Sequence, residues 1–336
     1  MKKLALTDKL LFVINLLLAT ILLISYLGYY ISPDSISVIS FLSLSVPFLI
    51  TLNLVFAVFW MLKLKRQFLL STLVLIIGYQ YITKFYSLSE KKVLLTNDVK
   101  IMSYNVRLFN LYNWIEGDSI EQNIYKFINN KAPDILCIQE FHLSTEFELN
   151  YPYEYVHIST DKNNYGHAIF SNFNIVNSGA LNFPDSTNNA IFVDIVKNND
   201  TIRVYNVHLE SLKINPKEDN FTQENSEKFR IRVEKSFKKQ TEQAVLIMQH
   251  QGKTPYKTII CGDFNNNAFS WVYRKLKSSK RDAFEIGGKG FGKTYDYFFP
   301  LRIDFILVDE KIDINNFKTY DINYSDHYPI MARLNF

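Results

Sequence analysis

Hydrophobic patterning divides the chain into two regimes. Residues 10–31 are almost continuously apolar, interrupted by Asn15, Thr20, Ser25 and Gly28, and about 20 such residues suffice to cross a hydrocarbon layer. A second run covers 39–62, and a shorter third, containing Gln80, covers about 67–83. Three membrane-spanning helices are therefore expected within residues 1–85. Lys2 and Lys3 would also suit a secretory leader, but the first run outlasts a leader core of about 7–15 residues, lacks a clear small-residue cleavage site and is followed at once by two more. No run carries an Asp, Glu, Lys, Arg or His at its centre, which favours an anchor over an ion pathway.

Beyond a polar stretch at 86–97, expected to be a linker, the pattern becomes that of a soluble domain over 98–336. Residues 99–106 alternate and then turn apolar as a strand does. Asp118 and Ser119 cap a helix with Gln122 at capping-box spacing, and Ile120, Ile124, Phe127 and Ile128 form its apolar stripe until Ala132-Pro133-Asp134 ends it. Further strands are predicted at 135–140, 166–172, 191–196, 201–209, 259–263 and 302–308, with a last one after 325–329. The turn-rich Lys197-Asn198-Asn199-Asp200 makes 191–209 a hairpin. Residues 226–249 form an amphipathic helix whose mixed-sign charges describe a solvated face. Another helix is predicted at 270–277. The glycine-rich 287–294 lacks the spacing of a phosphate loop and reads as an active-site rim.

Charge sets the expected orientation of the anchor. Lys2, Lys3 and Lys9 precede the first run, the turn at 32–35 has no basic residue, and Lys63, Lys65 and Arg66 crowd the next. A cytoplasmic N-terminus follows, and three crossings would leave the C-terminal domain extracytoplasmic. Lys84, Lys91 and Lys92 work against this, and a third segment that does not cross would reverse it. The formal net charge of +4 over 336 residues does not by itself argue for a nucleic-acid partner. Cys137 and Cys261 each lie inside an apolar run, as buried free thiols rather than a disulfide framework.

The chemistry gathers at strand ends. The run Ile259-Ile260-Cys261 stops at Gly262 and then presents Asp263 and Asn265 on one strand face, either as an ordinary Asp-Asn turn or as a water-orienting, cation-holding pair. Asn105, Glu140, Asn206, His208, Asp304, Asp326 and His327 occupy comparable positions. Carboxylates and amides without thiolates select a hard cation, Mg²⁺ or Mn²⁺, over zinc. The histidines add proton transfer or charge stabilisation at a phosphate.

These residues, in order, form a recognisable series: Tyr-Asn-Val at 104–106, Ile-Gln-Glu at 138–140, Asn-Val-His-Leu at 206–209, Gly-Asp-Phe-Asn at 262–265, Arg-Ile-Asp at 302–304 and Ser-Asp-His at 325–327. The series resembles the endonuclease/exonuclease/phosphatase superfamily over roughly residues 98–336. The resemblance implies a four-layer α/β sandwich, two packed mixed sheets flanked by helices, here behind a three-helix anchor. It also implies that Glu140 ligates the metal with Asn105 and Asp326 near it. Asp263 and Asn265 would activate water, His327 paired with Asp304 would stabilise the transition state or act as acid or base, and His208 with Asn206 and Asn265 would contact substrate. Asp263 and His327 are interchangeable as the base at this stage. Arg107 follows where some members carry an acid, which leaves one or two metals open. The implied substrate is a phosphodiester, from nucleic acid or phospholipid, or a phosphomonoester. The lipid bilayer is the other expected contact, and no protein partner is indicated. An inactive, membrane-tethered binding protein on the same scaffold is the competing function.

Overall fold

The computed structural model describes residues 5–88, 90–117, 119–143, 148–158, 165–214 and 223–336. Lys2, Lys3 and Asp118 lie outside them. The chain forms two compact units, Met1–Tyr86 with Asn267–Arg274, and Ser87–Asn266 with Lys275–Phe336.

In the first unit, α1 (Leu6–Ser25) and α2 (Ser37–Leu62) are long and apolar enough to cross a membrane. The third run is broken: α3 (Phe68–Ile77) and α4 (Tyr79–Phe85) meet at a 77° bend. Gly78 lies at that bend because the Tyr26 ring occupies the space its side chain would fill, and Tyr26 stacks on Tyr81 at 4.4 Å. A buried polar network ties the three helices together. Asn15 donates to Ser71 Oγ (2.6 Å) and accepts from Trp60 Nε1 (3.0 Å), while Ser71 donates to Asn53 Oδ1 (3.1 Å). Buried interhelical hydrogen bonds of this kind fix which helix faces meet, a specificity that apolar packing alone lacks.

The second unit contains two six-stranded mixed sheets. In the first, the order is β11 (Asp313–Thr319), β12 (Ile330–Asn335), β1 (Val99–Asn105), β2 (Ile135–His142), β4 (Tyr165–Ser171), β3 (Tyr153–Ile158). The second runs β5 (Asn174–Asn182), β6 (Asn189–Lys197), β7 (Asp200–His208), β8 (Lys257–Asp263), β10 (Asp304–Val308), β9 (Arg281–Asp282). Among the described residues only β1–β2 and β7–β8 are parallel, and each pair is joined through a helix, α5 (Ile120–Lys131) and α6 (Gln223–Gln251). The shorter α7 (Trp271–Lys277) and α8 (Ala283–Gly287) follow β8 and β9.

Strand alternation builds the layers. Ile101, Cys137, Ile259, Cys261 and Ile306 point into one buried core, while Met102, Tyr104, Leu136 and Ile138 point the other way and pack with Ile124 and Ile128 of α5. On the second sheet, Tyr205 reaches His250 of α6 at 2.9 Å. The result is the expected four-layer α/β sandwich, and both cysteines are free and buried.

Described residues of the polar stretch before β1 lie against β11 and its neighbours. Ser87 exchanges backbone hydrogen bonds with Gly290 (2.9 Å each), Lys91 Nζ donates to Ile314 O (2.6 Å), and Asn316 Nδ2 donates to Glu90 Oε1 (3.0 Å) and Lys91 O (2.7 Å). Asp98 ends it by accepting from Asn315 (2.7 Å) and Arg333 (3.1 Å). Polarity alone does not disclose such partners, which lie more than 200 residues away.

Candidate active site

Strand register assembles the candidate residues. On the second sheet His208 lies opposite Asp263 and Asp263 opposite Asp304, so three adjacent strands present an imidazole and two carboxylates side by side. On the first sheet Asn105 ends β1, and the Ser325–His327 turn leads into its neighbour β12; Ser325 Oγ donates to Asn105 O at 2.8 Å.

Asp263 is at the centre and 1% exposed. Its Oδ1 accepts the Asn265 backbone N–H (2.7 Å) and its Oδ2 accepts from Asn105 Nδ2 (3.1 Å). The same Oδ2 lies 3.5 Å from Nε2 of both His208 and His327. The far side of His327 is fixed by Asp304, 3.0 Å from Nδ1. Thr294 Oγ1 accepts the Asp304 N–H (3.1 Å), and the Tyr295 ring packs against the His327 ring at 5.0 Å.

The backbone before Asp263 leaves no choice of residue. Gly262 has φ +136°, and a Cβ there would sit 1.9 Å from Val207 O on the parallel neighbour β7. Only glycine permits both the conformation and the close approach.

Electrostatics separates the two histidines. Burial pushes the His327 imidazole down, but Asp304 and Asp263 outweigh it and raise it to about 10, so it is an imidazolium at neutral pH. Burial lowers His208 despite the Asp263 charge, leaving a neutral imidazole. Burial pushes Asp263 up to about 6, against the pull of His327. At neutral pH the centre thus pairs an ionised Asp263 with a charged His327 and a neutral His208.

Glu140 reaches the site through a bulge. Alternation along β2 would send Glu140 to the outer face with Leu136 and Ile138, but the pairing with β4 shifts between Ile138 and Phe141 and Glu140 takes φ +50°. Its Oε1 then lies 3.3 Å from Asn105 Nδ2 and 3.9 Å from His208 Nε2. Burial raises its carboxyl above the usual range, the His327 charge lowers it, and Asp326 raises it again. Two mutually repelling carboxylates with oxygen donors and no thiolate suit a hard divalent cation. The trio Asp263, Asp304 and His327 also has ligand atoms within 4.8 Å of one another. With His327 protonated between two carboxylates, the same trio is also an ion-pair cluster.

The expected residues do not all face the same space. Asn206 is fully buried between the sheets, donating to Ile138 O (2.8 Å) and Ala168 O (3.0 Å) and accepting from Gln139 Nε2 (2.6 Å). Its amide is spent on joining the sheets, with no group left for substrate. Asn105 turns its amino group to Glu140 and Asp263 and its carbonyl to the Arg107 N–H (3.1 Å). Asn265, at φ +48°, donates to Leu209 O (2.9 Å). Asp326 commits Oδ2 to Arg107 (3.3 Å). Arg107, Trp114, Lys213, Lys293, Tyr295 and Asp326 line a cleft of ≈ 1740 Å³. Strand-end polarity does not mark Thr294 or the Tyr295 contact with His327, and it gives Arg107 no role of its own.

The family model for the endonuclease/exonuclease/phosphatase family matches residues 102–327, more than half of the chain. The chain belongs to that family. A second model, for a domain of unknown function (DUF8431), matches residues 8–85. Similar solved structures include the human Nocturnin catalytic domain with bound sulfate anion, 17% identical over 73% of this chain and 95% of that one, with a TM-score of 0.52. A D. rerio TDP2 complexed with single-strand DNA product is 17% identical over 71% and 99%, TM-score 0.51. A Bacteroides thetaiotaomicron mannosyl-6-phosphatase is 18% identical over 71% and 100%, TM-score 0.50. At such identities they share the fold alone with this family member. No curated protein matches the chain.

Proposed function

We propose that this family member is a membrane-anchored, metal-dependent phosphoesterase that hydrolyses a phosphodiester or phosphomonoester by in-line attack of water. The observation that carries this reading is the Asp263 carboxylate, buried, ionised at neutral pH and aimed between a neutral and a charged imidazole. Asp263 takes the proton of the attacking water, with the Asn265 N–H holding its other oxygen. His327, kept cationic by Asp304, faces the charge that develops on the phosphoryl oxygens or protonates the leaving oxygen. His208 offers an N–H to a phosphoryl oxygen. Glu140, oriented by Asn105, and the second oxygen of Asp326 would hold Mg²⁺ or Mn²⁺. Such an ion polarises the phosphoryl group and neutralises its charge.

Similar structures, one holding a DNA product and one named as a sugar phosphatase, support both ester classes. The test is hydrolysis of DNA, RNA, phospholipid vesicles and simple phosphate esters by the full chain in detergent, with EDTA and Mg²⁺ add-back. We expect turnover of at least one ester, lost in EDTA and restored by Mg²⁺. Binding of an ester with no turnover under any metal would replace this reading with that of an inactive binding protein.

The anchor reading extends to sidedness. In the helical unit, the Asp8–Lys63 ion pair (2.5 Å) marks one end, where Lys9, Lys65 and Arg66 also fall. The other end is tyrosine-rich, as membrane interfaces are, and there Asn267 Nδ2 donates to Ser43 O (3.1 Å) and Arg274 Nε to Tyr29 O (2.7 Å). Reading the basic end as cytoplasmic by the positive-inside rule, and counting the bent third run as one crossing, we place the catalytic domain outside the cytoplasm. Protease added to intact cells should therefore digest the C-terminal domain; protection of that domain would refute the orientation.

A further inference from the structure

We propose that Arg107 is the second cation of the centre, gripping a phosphoryl oxygen of the substrate on the Asp326 side, so that the site takes one divalent ion rather than two. The inference rests on the phosphoesterase reading and concerns how that site manages charge. Arg107 follows Asn105 by two residues and opens a run of four consecutive left-handed residues, with φ of 45°, 52°, 54° and 64° through Asn110. Left-handed backbone is costly for side chains other than glycine and persists where the surroundings enforce it, often at functional sites.

The enforcement is visible. Asn105 Oδ1 accepts the Arg107 N–H (3.1 Å), Phe109 is stacked on Tyr125 (5.1 Å), and Asn110 closes the loop with two hydrogen bonds to the backbone of Ile115 (2.9 Å each). The same Asn105 amide donates to Glu140 and Asp263, so one side chain fixes the metal acid, the base and the arginine together.

The guanidinium is fixed as well. It lies on the Trp114 ring at 4.7 Å and one of its nitrogens meets Asp326 Oδ2 at 3.3 Å. Among the described residues no other side chain hydrogen-bonds it, and it lines the cleft with 31% of the side chain exposed. A guanidinium has five N–H donors in a rigid fork, so one carboxylate leaves donors for a phosphoryl oxygen, and its charge persists at any working pH. A second divalent ion drawn to Asp326 would have to displace this held cation.

The test uses the full chain in detergent and two readouts. Mn²⁺ binding, followed by electron paramagnetic resonance of the free ion, should give one ion per chain for the wild type. Arg107→Ala, which frees Asp326, should lower kcat about 100-fold and bind a second Mn²⁺. Arg107→Lys keeps a charge but not the fork, and should lose about 10-fold while still binding one ion. Two ions on the wild type, or Arg107→Ala within threefold of wild-type activity, would overturn the proposal. Should no ester be turned over by the wild type, the phosphoesterase reading fails, and the Mn²⁺ count still decides the Arg107 assignment.

Discussion

Asp263→Asn in the full chain should lower kcat by about 10³–10⁴-fold at saturating substrate, with KM little changed, because it removes the proton acceptor while leaving the shape of the site. The residual rate should also lose its acid limb. In the wild type, activity requires Asp263 ionised, so it falls as pH drops through about 6, the value to which burial raises this carboxyl. Folding should survive. A carboxyl whose folded pKa lies above its unfolded value favours the folded state in its protonated form, so its contribution is largest below about 4 and declines as pH rises toward 6. At neutral pH the ionised Asp263 is therefore a burden on stability that the Asn variant relieves. Its amide NH2, however, must face a donor that the carboxylate accepted, Asn265 N–H or Asn105 Nδ2, so the two effects offset and the variant should melt close to wild type. A variant that is stable and retains more than a tenth of the activity would remove Asp263 from the base role.

The sequence disclosed more of the strand ends than of how they meet. Asp263, His208 and Asp304 were legible because each ends or begins an apolar run, and the register that makes them neighbours follows from β8 lying between β7 and β10. Glu140 stands out as the carboxylate that ends an apolar run, although alternation alone would have turned it outward; a bulge with a left-handed residue re-aims it, and no local signal announces a bulge at Ile-Gln-Glu. Asn206 shows the opposite error, since its position beside His208 suggested substrate while its amide joins the two sheets. Polar residues at a strand end serve a ligand or the protein's own backbone, and only the partner strand decides which. The two apolar runs of α1 and α2 were plain, but the bend at Gly78 depends on where the Tyr26 ring lies, which periodicity does not encode. Nor does any composition shift mark Asn267–Arg274, which directly follows Asp263–Asn266 in sequence yet belongs to the helical unit.

Replacing His327 with Gln should cost about 10²–10³-fold in kcat and, unlike the Asp263 change, should also destabilise the fold. The two effects share one cause. His327 is the buried positive charge between Asp263 (3.5 Å) and Asp304 (3.0 Å), and taking it away leaves two buried carboxylates without a cation between them. The sign of the pH dependence follows from the raised pKa. A histidine protonated more readily in the folded state contributes stability that is complete below about 6.5 and disappears as pH climbs through about 10. A shift of that size corresponds to roughly 5 kcal/mol, so wild type and variant should differ most in melting temperature near pH 6 and converge above pH 10. Catalysis should follow the same proton: the alkaline limb of the wild-type rate belongs to His327 and should vanish in the Gln variant, whose remaining activity is flat from pH 8 upward. Asp304→Asn offers the control, because it leaves the imidazole in place but removes one of the two carboxylates that keep it charged. Its alkaline limb should move to lower pH while kcat on the plateau falls less than in the Gln variant. An unmoved limb in Asp304→Asn would show that the limb titrates some group other than His327.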